Sequence, residues 1–199
     1  MKSHIVHFYL PAIIAAVCLG IAYSPETVSL ALRYDAEKIP SGDYWRILTA
    51  HFVHLSLPHL YLNLGGLLLV FIFFSKCLSL KYWLTCLFVS AIGISLLVFN
   101  LNPDITWYVG LSGVLHALFI LGGVADIQFR KWEGIGFTLI ILSKVIFEQF
   151  SGPLPGSEET AGGPVLVDAH FYGAMIGLAL SAPIVYSLFK NHKQKQNND

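Results

Sequence analysis

The sequence predicts an all-α membrane protein, a bundle of six transmembrane helices with both termini on the cytoplasmic side. Three observations lead to this fold class. The 199-residue chain has a mean hydropathy of +0.66 and only 12% charged residues, which lies outside the usual range of a soluble domain. It contains charge-poor stretches of about 20 residues, the length that the hydrocarbon core of a bilayer demands. Its Lys and Arg residues are concentrated in the connections on one side.

Six charge-poor stretches follow one another along the chain. They lie at 5–23, 58–75, 80–99, 105–125, 134–150 and 169–189. The first is too long, and too polar at its start, for a cleaved signal peptide, so we expect it to be a true helix. The fifth is the weakest, because it contains Lys144 and Glu148. Two long connections, 24–57 and 151–168, interrupt the series, and long connections are common places for functional residues.

The charges orient the predicted bundle. With both termini inside, the cytoplasmic segments hold eight Lys and Arg residues and the outer connections hold three. The eight are Lys2, Lys76, Lys81, Arg130, Lys131, Lys190, Lys193 and Lys195, and the three are Arg33, Lys38 and Arg46. The formal net charge of zero offers no basic surface for nucleic acid, so we expect the lipid bilayer and no nucleic acid as a partner. The expected organisation is a single membrane domain over 1–190 with a polar cytoplasmic tail over 191–199.

Ser112 is the first candidate for chemistry. It lies in the tetrapeptide Gly-Leu-Ser-Gly (110–113), near the outer end of the fourth stretch. This signal is weak by itself, because Ser and Gly are also common where transmembrane helices pack closely. However, His170 begins the sixth stretch, and His59 and Asn63 lie one turn apart at the start of the second. All four residues are therefore expected at a similar depth on the outer side.

These residue types suit acyl transfer. A serine hydroxyl is a poor nucleophile until a base takes its proton, and a neutral imidazole can do so. The oxyanion formed by attack on a carbonyl needs fixed donors, which His59 and Asn63, four apart on one helical face, can supply together with the backbone N–H of Ser112. The competing interpretation is that each polar side chain only bonds a neighbouring helix.

The same residues carry a resemblance to a known family. The matching features are Trp45-Arg46, His54, His59, Asn63, Gly110-x-Ser112-Gly113 and Ala169-His170-x-x-Gly173-x-x-x-Gly177. In order, spacing and span they resemble the rhomboid intramembrane serine proteases, over most of the chain. The resemblance implies a rhomboid-like six-helix protease with a Ser–His dyad and no third acidic member. Ser112 would be the nucleophile, His170 the general base, and His59, Asn63 and the Ser112 N–H the oxyanion hole, with no cofactor and no metal ion.

A narrower resemblance rests on the fifth stretch and the connection after it. Its features are Lys144, Glu148-Gln149, Pro155-Gly156-Ser157-Glu158-Glu159, Gly162-Gly163-Pro164 and Val167-Asp168-Ala169-His170. They resemble the rhombosortases, a bacterial rhomboid branch paired with secreted proteins whose tails carry a Gly-Gly-type motif, an apolar helix and basic residues. This implies membrane-anchored protein substrates with an apolar C-terminal helix, cut near small residues. It also implies a bacterial inner-membrane location with the active site toward the periplasm, and an amine that sometimes replaces water.

His116 departs from the family pattern. Characterised rhomboids usually place a tyrosine one turn after the serine, where its ring stacks on the base, and this chain has His116 there. Helical side chains lean toward the N-terminus, so His116 can reach back toward Ser112. It either replaces the stacking ring or competes with His170 as the base, and we expect the former. His54 and Gly113 are expected to support the site without reacting.

Lys144 and Glu148 form an i,i+4 pair inside the membrane, where charges are costly and often functional. Two interpretations stay open. The pair is either a mutual ion pair or, with segment 155–164, a recognition site for basic or Gly-rich features of the substrate. Asp168, two residues from His170, faces another side of its helix, so we expect it to cap the helix rather than complete a triad.

Three glycines and one loop pair have structural interpretations. Gly173 and Gly177, four apart, are expected to let the sixth helix approach the fourth, where Gly113 thins the facing surface. Trp45 and Arg46 suit an interfacial loop in which the guanidinium binds a phosphate or a backbone carbonyl.

Two other functional classes remain open. One is a catalytically inactive rhomboid-fold protein that binds transmembrane helices, although the presence of both Ser112 and His170 argues against it. The other places a metal or haem at His51, His54 and His59 in a transporter or redox protein. No acidic or thiol partner lies near these histidines in the sequence, and Ser112 would then have no role.

Overall fold

The computed structural model describes the backbone of residues 2–196 and the side chains of 9–188 and 190. The chain is mostly helical. Its elements, in chain order, are α1 (Lys2–Ala22), α2 (Glu26–Leu32), β1 (Tyr34–Asp35), α3 (Arg46–Thr49), a 3-10 turn (Ala50–Phe52), α4 (Leu57–Phe74), α5 (Leu80–Leu101), β2 (Trp107–Tyr108), α6 (Ser112–Asp126), α7 (Lys131–Ser151), α8 (Ser157–Ala161) and α9 (Val167–Gln196).

Four helices within the described part of the chain are long and apolar enough to cross a membrane. They are α4, α5, α7 and the portion of α9 over Val167–Leu188. Helix α6 and the Tyr9–Ala22 portion of α1 are apolar but shorter. The predictions for α4, α5 and α7 agree with these helices to within a few residues. The polar tail predicted from residue 191 is helical as far as Gln196, and 197–199 lie outside the described residues.

The predicted fourth stretch, 105–125, is wrong as a single helix. Its first part is extended, because β2 pairs antiparallel with β1, with Tyr34 opposite Tyr108. Gly110 follows with a φ of 125°, a left-handed conformation that an α-helix does not contain and that favours glycine. Helix α6 therefore begins at Ser112, and the first seven residues of the predicted stretch, 105–111, do not belong to it.

Helix α6 is the centre of the bundle. Nearly all of its residues from Gly113 to Asp126 are buried, and it contacts α4, α5, α7 and α9. A helix this short for a membrane can be tolerated here because its neighbours, and not lipid, surround it. Side chains at its first turn are therefore enclosed by protein on several sides.

The connection between α1 and α4 is folded around one buried guanidinium. Arg46 is 4% exposed; its Nη1 donates to the carbonyl oxygens of Leu30 (2.8 Å) and Arg33 (3.0 Å), and its Nε donates to Asp43 (2.8 Å). Arginine suits this position because its planar group offers several donors in fixed directions. Of the two partners expected for Arg46, a phosphate or a backbone carbonyl, the structure shows backbone carbonyls.

Hydrogen bonds tie connections together at both ends of the bundle. At the end where α6 begins, Ser56 Oγ donates to the carbonyl of Ala161 in α8 (2.8 Å), which joins the two long connections. At the opposite end, Asp126 forms a 2.8 Å ion pair with Arg130 and accepts a hydrogen bond from the Cys77 thiol. The bond from Cys77 joins the turn between α4 and α5 to the end of α6.

Candidate active site

The position of Ser112 is set by the backbone segment that precedes it. The Gly110 N–H donates to the carbonyl of Ala50 in the 3-10 turn (3.1 Å), which fixes the backbone immediately before α6. A Cβ at Gly110 would lie 3.0 Å from the His59 ring and 3.9 Å from Ser112 Oγ. The absence of a side chain at this position therefore leaves room between the serine and His59, in addition to permitting the positive φ.

Ser112 and His170 are in direct contact. Ser112 Oγ lies 2.9 Å from His170 Nε2, across the interface between α6 and α9, and His170 is 6% exposed. This is the separation that a serine and its general base require before proton transfer.

Glycines make the contact between α6 and α9 possible. A Cβ at Gly113 would lie 2.8 Å from the Ala169 carbonyl oxygen, and one at Gly177 would lie 2.6 Å from the carbonyl oxygen of Ala117. A Cβ at Gly173 would overlap the Gly113 carbonyl. The prediction that these glycines let the two helices approach closely is confirmed.

The first turn of α9 is also held from the side. Asn102, at the end of α5, donates to the Asp168 carboxylate (2.7 Å) and accepts from the Tyr172 hydroxyl (2.7 Å). These two bonds flank His170. Asp168 lies inside the helix, which begins at Val167, so the expectation that it is the cap residue is wrong.

Glu148 contacts the other nitrogen of the His170 ring. Its Oε2 lies 2.9 Å from His170 Nδ1 and also accepts from Lys144 Nζ at 2.7 Å. Glu148 is 2% exposed. A carboxylate this deeply buried would be costly without partners, and here one oxygen has two.

His116 stacks on His170. The two ring centroids are 4.4 Å apart, with an interplanar angle of 21°. His116 Nδ1 lies 2.7 Å from the Ser112 carbonyl oxygen, and its Nε2 lies 2.9 Å from Lys144 Nζ. Both ring nitrogens are thus engaged, and neither bonds the Ser112 hydroxyl. This geometry favours the stacking role over the competing role as base.

His59 lines a small cavity beside Ser112. Its Nδ1 accepts from the Leu55 N–H (3.4 Å), so the proton of the neutral ring is on Nε2. The cavity has a volume of about 30 Å³ and is lined by His59, Ser112, Ala169, residues 108–110 and residues 164–166.

Asn63 is buried one turn along α4, where one amide N–H donates to the His59 carbonyl (3.1 Å). Its second N–H is the one available for another acceptor.

His54 supports His59 from behind. The two rings meet edge to face, with centroids 5.0 Å apart. Burial, and secondarily the neighbouring His59, lower the pKa of His54 to about 3. His54 is therefore neutral at physiological pH and contacts His59 as an aromatic ring.

Comparison with known protein families matches residues 41–187 to the Rhomboid domain, about three quarters of the chain. The chain belongs to the rhomboid family. Rhomboids are generally intramembrane serine proteases that act on membrane-protein substrates within the bilayer. The match and the apolar helices together make this chain a multi-pass membrane protein and support a function of the protease type. A search of curated proteins found no match.

The metal alternative based on three histidines has no support in this rhomboid fold. His51 Nε2 donates to the Ala91 carbonyl (2.8 Å), whereas His54 packs on His59. Within the described residues, the one cluster with three potential ligand atoms is His116, Glu148 and His170. The Lys144 ammonium lies among these atoms, so a cation of the protein already takes the place that a metal ion would need.

The main difference from the sequence predictions concerns Glu148. A recognition role requires a side chain that a substrate can reach, but Glu148 is buried against His170. The predicted ion pair with Lys144 is confirmed, and the contact with the histidine was missed. The available signal was an ionisable residue inside an apolar stretch, which usually has an interior partner. Because Lys144 lies four residues away and is a sufficient partner for Glu148, no second partner was expected.

Proposed function

We propose that this rhomboid is an intramembrane serine protease in which Ser112 is the nucleophile and His170 the general base. The observation that carries the proposal is the 2.9 Å contact between Ser112 Oγ and His170 Nε2. In the first step the Ser112 proton moves to His170, Oγ bonds the substrate carbonyl carbon, and the carbonyl oxygen becomes an oxyanion. When the C–N bond breaks, His170 returns the proton to the leaving amine and an ester to Ser112 remains.

His59, Asn63 and the Ser112 backbone N–H are the proposed donors to the oxyanion. His59 lines the cavity beside Ser112 and its ring proton is on Nε2, which supports its role, and Asn63 retains one N–H. Donors fixed before the reaction need no reorganisation when the charge develops, and each typically contributes about 3 kcal/mol.

We propose small residues at the cleavage point. The cavity beside Ser112 has room for about two water molecules, judged by the volume that one water needs. One wall is residues 164–166, which directly follow the Gly162-Gly163 pair of the second long connection. A glycine fits such a space, whereas a large side chain would require the wall to move.

The proposed substrates are exported proteins of the rhombosortase type, with a Gly-Gly motif, an apolar C-terminal helix and basic residues. The small cavity and the matching segment 155–164 support this narrower assignment. Water resolves the ester to an acid. An amine in its place would lose one proton to His170 and form an amide, which transfers the cleaved chain to a new carrier.

For topology, we propose six spans, cytoplasmic termini and a site facing the periplasm of a bacterial inner membrane. The two long connections meet at the end where α6 begins, and the excess of Lys and Arg lies at the opposite end. Glu158→Cys should then react with a membrane-impermeant maleimide applied to spheroplasts, and Lys131→Cys should react only after lysis. The reverse pattern contradicts this orientation.

The decisive test of the protease proposal uses the purified full chain in proteoliposomes. Wild-type protein should react with a fluorophosphonate probe and cleave a reporter carrying a Gly-Gly motif, an apolar helix and a basic end. Ser112→Ala should do neither, while it inserts and unfolds like the wild type, because only one hydroxyl is lost. Turnover by Ser112→Ala would refute the assignment, and an unreactive wild type would favour the inactive, helix-binding class.

The substrate assignment needs a separate comparison. A matched reporter with Leu-Leu in place of Gly-Gly should be cleaved much more slowly, because its side chains exceed the cavity. Equal cleavage of the two reporters would contradict the rhombosortase assignment and leave the protease proposal intact. Added hydroxylamine should yield a hydroxamate at the new C-terminus, measured by mass spectrometry, if an amine can resolve the ester.

A further inference from the structure

Four side chains link the Ser112 hydroxyl back to the Ser112 carbonyl through hydrogen bonds. Starting from the hydroxyl, Ser112 contacts His170 Nε2 (2.9 Å), and His170 Nδ1 contacts Glu148 Oε2 (2.9 Å). Lys144 Nζ then bridges Glu148 Oε2 (2.7 Å) and His116 Nε2 (2.9 Å). His116 Nδ1 closes the ring on the Ser112 carbonyl oxygen (2.7 Å).

The directions of these hydrogen bonds can be assigned from the fixed members. The Ser112 carbonyl only accepts, so His116 Nδ1 carries a proton and its Nε2 accepts from the Lys144 ammonium. An ionised Glu148 also only accepts, so His170 Nδ1 carries a proton and donates to it. His170 Nε2 is then left with the lone pair that faces the Ser112 hydroxyl. A single pattern of protons satisfies the whole ring.

We propose that Glu148 is a positioning residue that fixes His170 in this tautomer and orientation, and that Lys144 holds the Glu148 carboxylate in place. The inference rests on the proposed protease function and replaces the expected Ser–His dyad with a Ser–His–Glu arrangement. Once His170 takes the serine proton, the imidazolium faces a carboxylate, which stabilises it.

The geometry distinguishes this role from that of a simple ion pair. A pair that only neutralised Lys144 would not need His170 on the same oxygen. Glu148 Oε2 is instead shared between the two, and the side chain is 2% exposed. The 3.4 Å separation between Lys144 Nζ and His170 Nδ1 joins two donors, so the carboxylate is what holds these groups together.

Two substitutions should shift the pH dependence in opposite directions. In Glu148→Gln, the amide oxygen can still accept from both neighbours, but the negative charge is gone. The imidazolium then faces Lys144 alone, so the acid limb of the labelling rate should move to lower pH. In Lys144→Met, Glu148 faces His170 without a competing cation and favours the imidazolium before the reaction begins. The acid limb should then move to higher pH.

The other groups around His170 are the same in all variants. Ser112 and His116 face it from α6, His59 lies on the α4 side, and Asp168 lies on its own helix with its carboxylate bonded to Asn102. The opposite shifts therefore isolate the contributions of the two α7 residues.

The experiment measures fluorophosphonate labelling rates of the full chain in proteoliposomes, from about pH 5 to about pH 9. The small probe reacts at Ser112 without needing a docked substrate helix. General acid–base catalysis by a side chain typically contributes about 100- to 10,000-fold. Because His170 itself is retained, Glu148→Gln should slow labelling at neutral pH by a part of that factor, roughly 10- to 1,000-fold, with the stated shift. Melting temperatures are measured in parallel.

Asp126→Asn is the matched control. Asp126 is also a buried carboxylate (2% exposed) paired with an i+4 cation, but it lies at the opposite end of α6. The Asp126→Asn variant should have a lower melting temperature than the wild type, with an unchanged labelling rate and pH profile. Unshifted profiles for both Glu148→Gln and Lys144→Met would overturn the inference. So would a labelling loss in Asp126→Asn as large as that in Glu148→Gln at a similar drop in melting temperature, because the loss would then follow stability alone. Absence of labelling in the wild type would overturn the proposed function as well.

Discussion

The His116 ring lies flat against the His170 ring, with centroids 4.4 Å apart and an interplanar angle of 21°. Its two nitrogens are bonded to the Ser112 carbonyl and to Lys144. His116 therefore contacts His170 through its ring face and forms no hydrogen bond with the serine hydroxyl. Stacked aromatic rings restrict one another, so His116 limits the rotation of the His170 ring beside Ser112 Oγ.

The ranking of two histidine variants follows from this contact. His170→Ala should abolish both reporter cleavage and fluorophosphonate labelling, because no other base contacts Ser112 Oγ among the described residues. His116→Phe should retain substantial activity, because it keeps an aromatic face. It loses a hydrogen bond to the Ser112 carbonyl worth about 1 kcal/mol and one to the Lys144 ammonium worth about 1.5–3 kcal/mol, so its melting temperature should fall. Activity in His170→Ala together with inactivity in His116→Phe would place the base at His116.

Gly110 should be required for catalysis more than for folding. Gly110→Ala introduces strain at a φ of 125° and places a Cβ 3.0 Å from the His59 ring, in the space proposed for the oxyanion. We expect a melting temperature lowered by the equivalent of about 1 kcal/mol, and a much larger loss of labelling.

Gly42 provides the control for Gly110. Its φ is 116°, and a Cβ there would meet nothing within 4 Å. Gly42→Ala should therefore share the backbone strain but label at the wild-type rate. Equal labelling by the two variants would show that crowding of His59 is unimportant.

Gly173 should control the distance between the nucleophile and the base. An alanine there overlaps the Gly113 carbonyl, so α9 must move away from α6. We expect destabilisation of roughly 1–3 kcal/mol and loss of labelling, since a hydrogen bond is lost with less than an ångström of separation.

A helical glycine with free space is the comparison for Gly173. Gly136 lies in α7, and a Cβ there meets nothing within 4 Å. Gly136→Ala should be neutral or slightly stabilising, because alanine favours the helix by up to about 1 kcal/mol. Wild-type labelling by Gly173→Ala would show that the interface tolerates a methyl group.

Hydropathy predicted the long helices but not the backbone before Ser112. Charge-poor windows located α4, α5 and α7 because each of these helices contains a long window of high mean hydropathy with few charged residues. The same measure joined β2 to α6, since the extended residues 105–111 carry no charge and a short apolar strand cannot be told from a helix by hydropathy alone. The positive φ at Gly110 was the discriminating feature, and a glycine in a sequence does not reveal its φ.

The proposed site residues were predictable to the extent that motifs name them. Ser112, His170 and His59 were predicted together, and the structure brings them together. Glu148 was not associated with His170, because 22 residues and a connection separate them and no local periodicity links α7 to α9. Lys144, four residues before Glu148, was a sufficient local partner for the carboxylate, so nothing in the sequence indicated His170 as a second partner.

The buried His51 should make stability depend on pH. Burial lowers the pKa of His51 to about 4, from an ordinary value of 6.5. In the unfolded chain this ring takes a proton as the pH falls below 6.5, whereas in the folded protein it stays neutral until about 4. Stability is therefore fully present above pH 6.5 and is lost progressively down to about 4, by up to about 3 kcal/mol for this residue.

His51→Gln tests the contribution of His51 to this pH dependence. The glutamine amide can donate to the Ala91 carbonyl, as the His51 ring does, but it does not titrate. The melting temperature of the variant, followed from about pH 7 to about pH 4, should fall less steeply than that of the wild type. Some slope should remain, because the pKa of His54 is also lowered, to about 3. Parallel curves for the two proteins would mean that folding does not lower the pKa of His51. In that case the 3-10 turn, whose Ala50 carbonyl accepts from the Gly110 N–H, would not contribute to the loss of stability at acid pH.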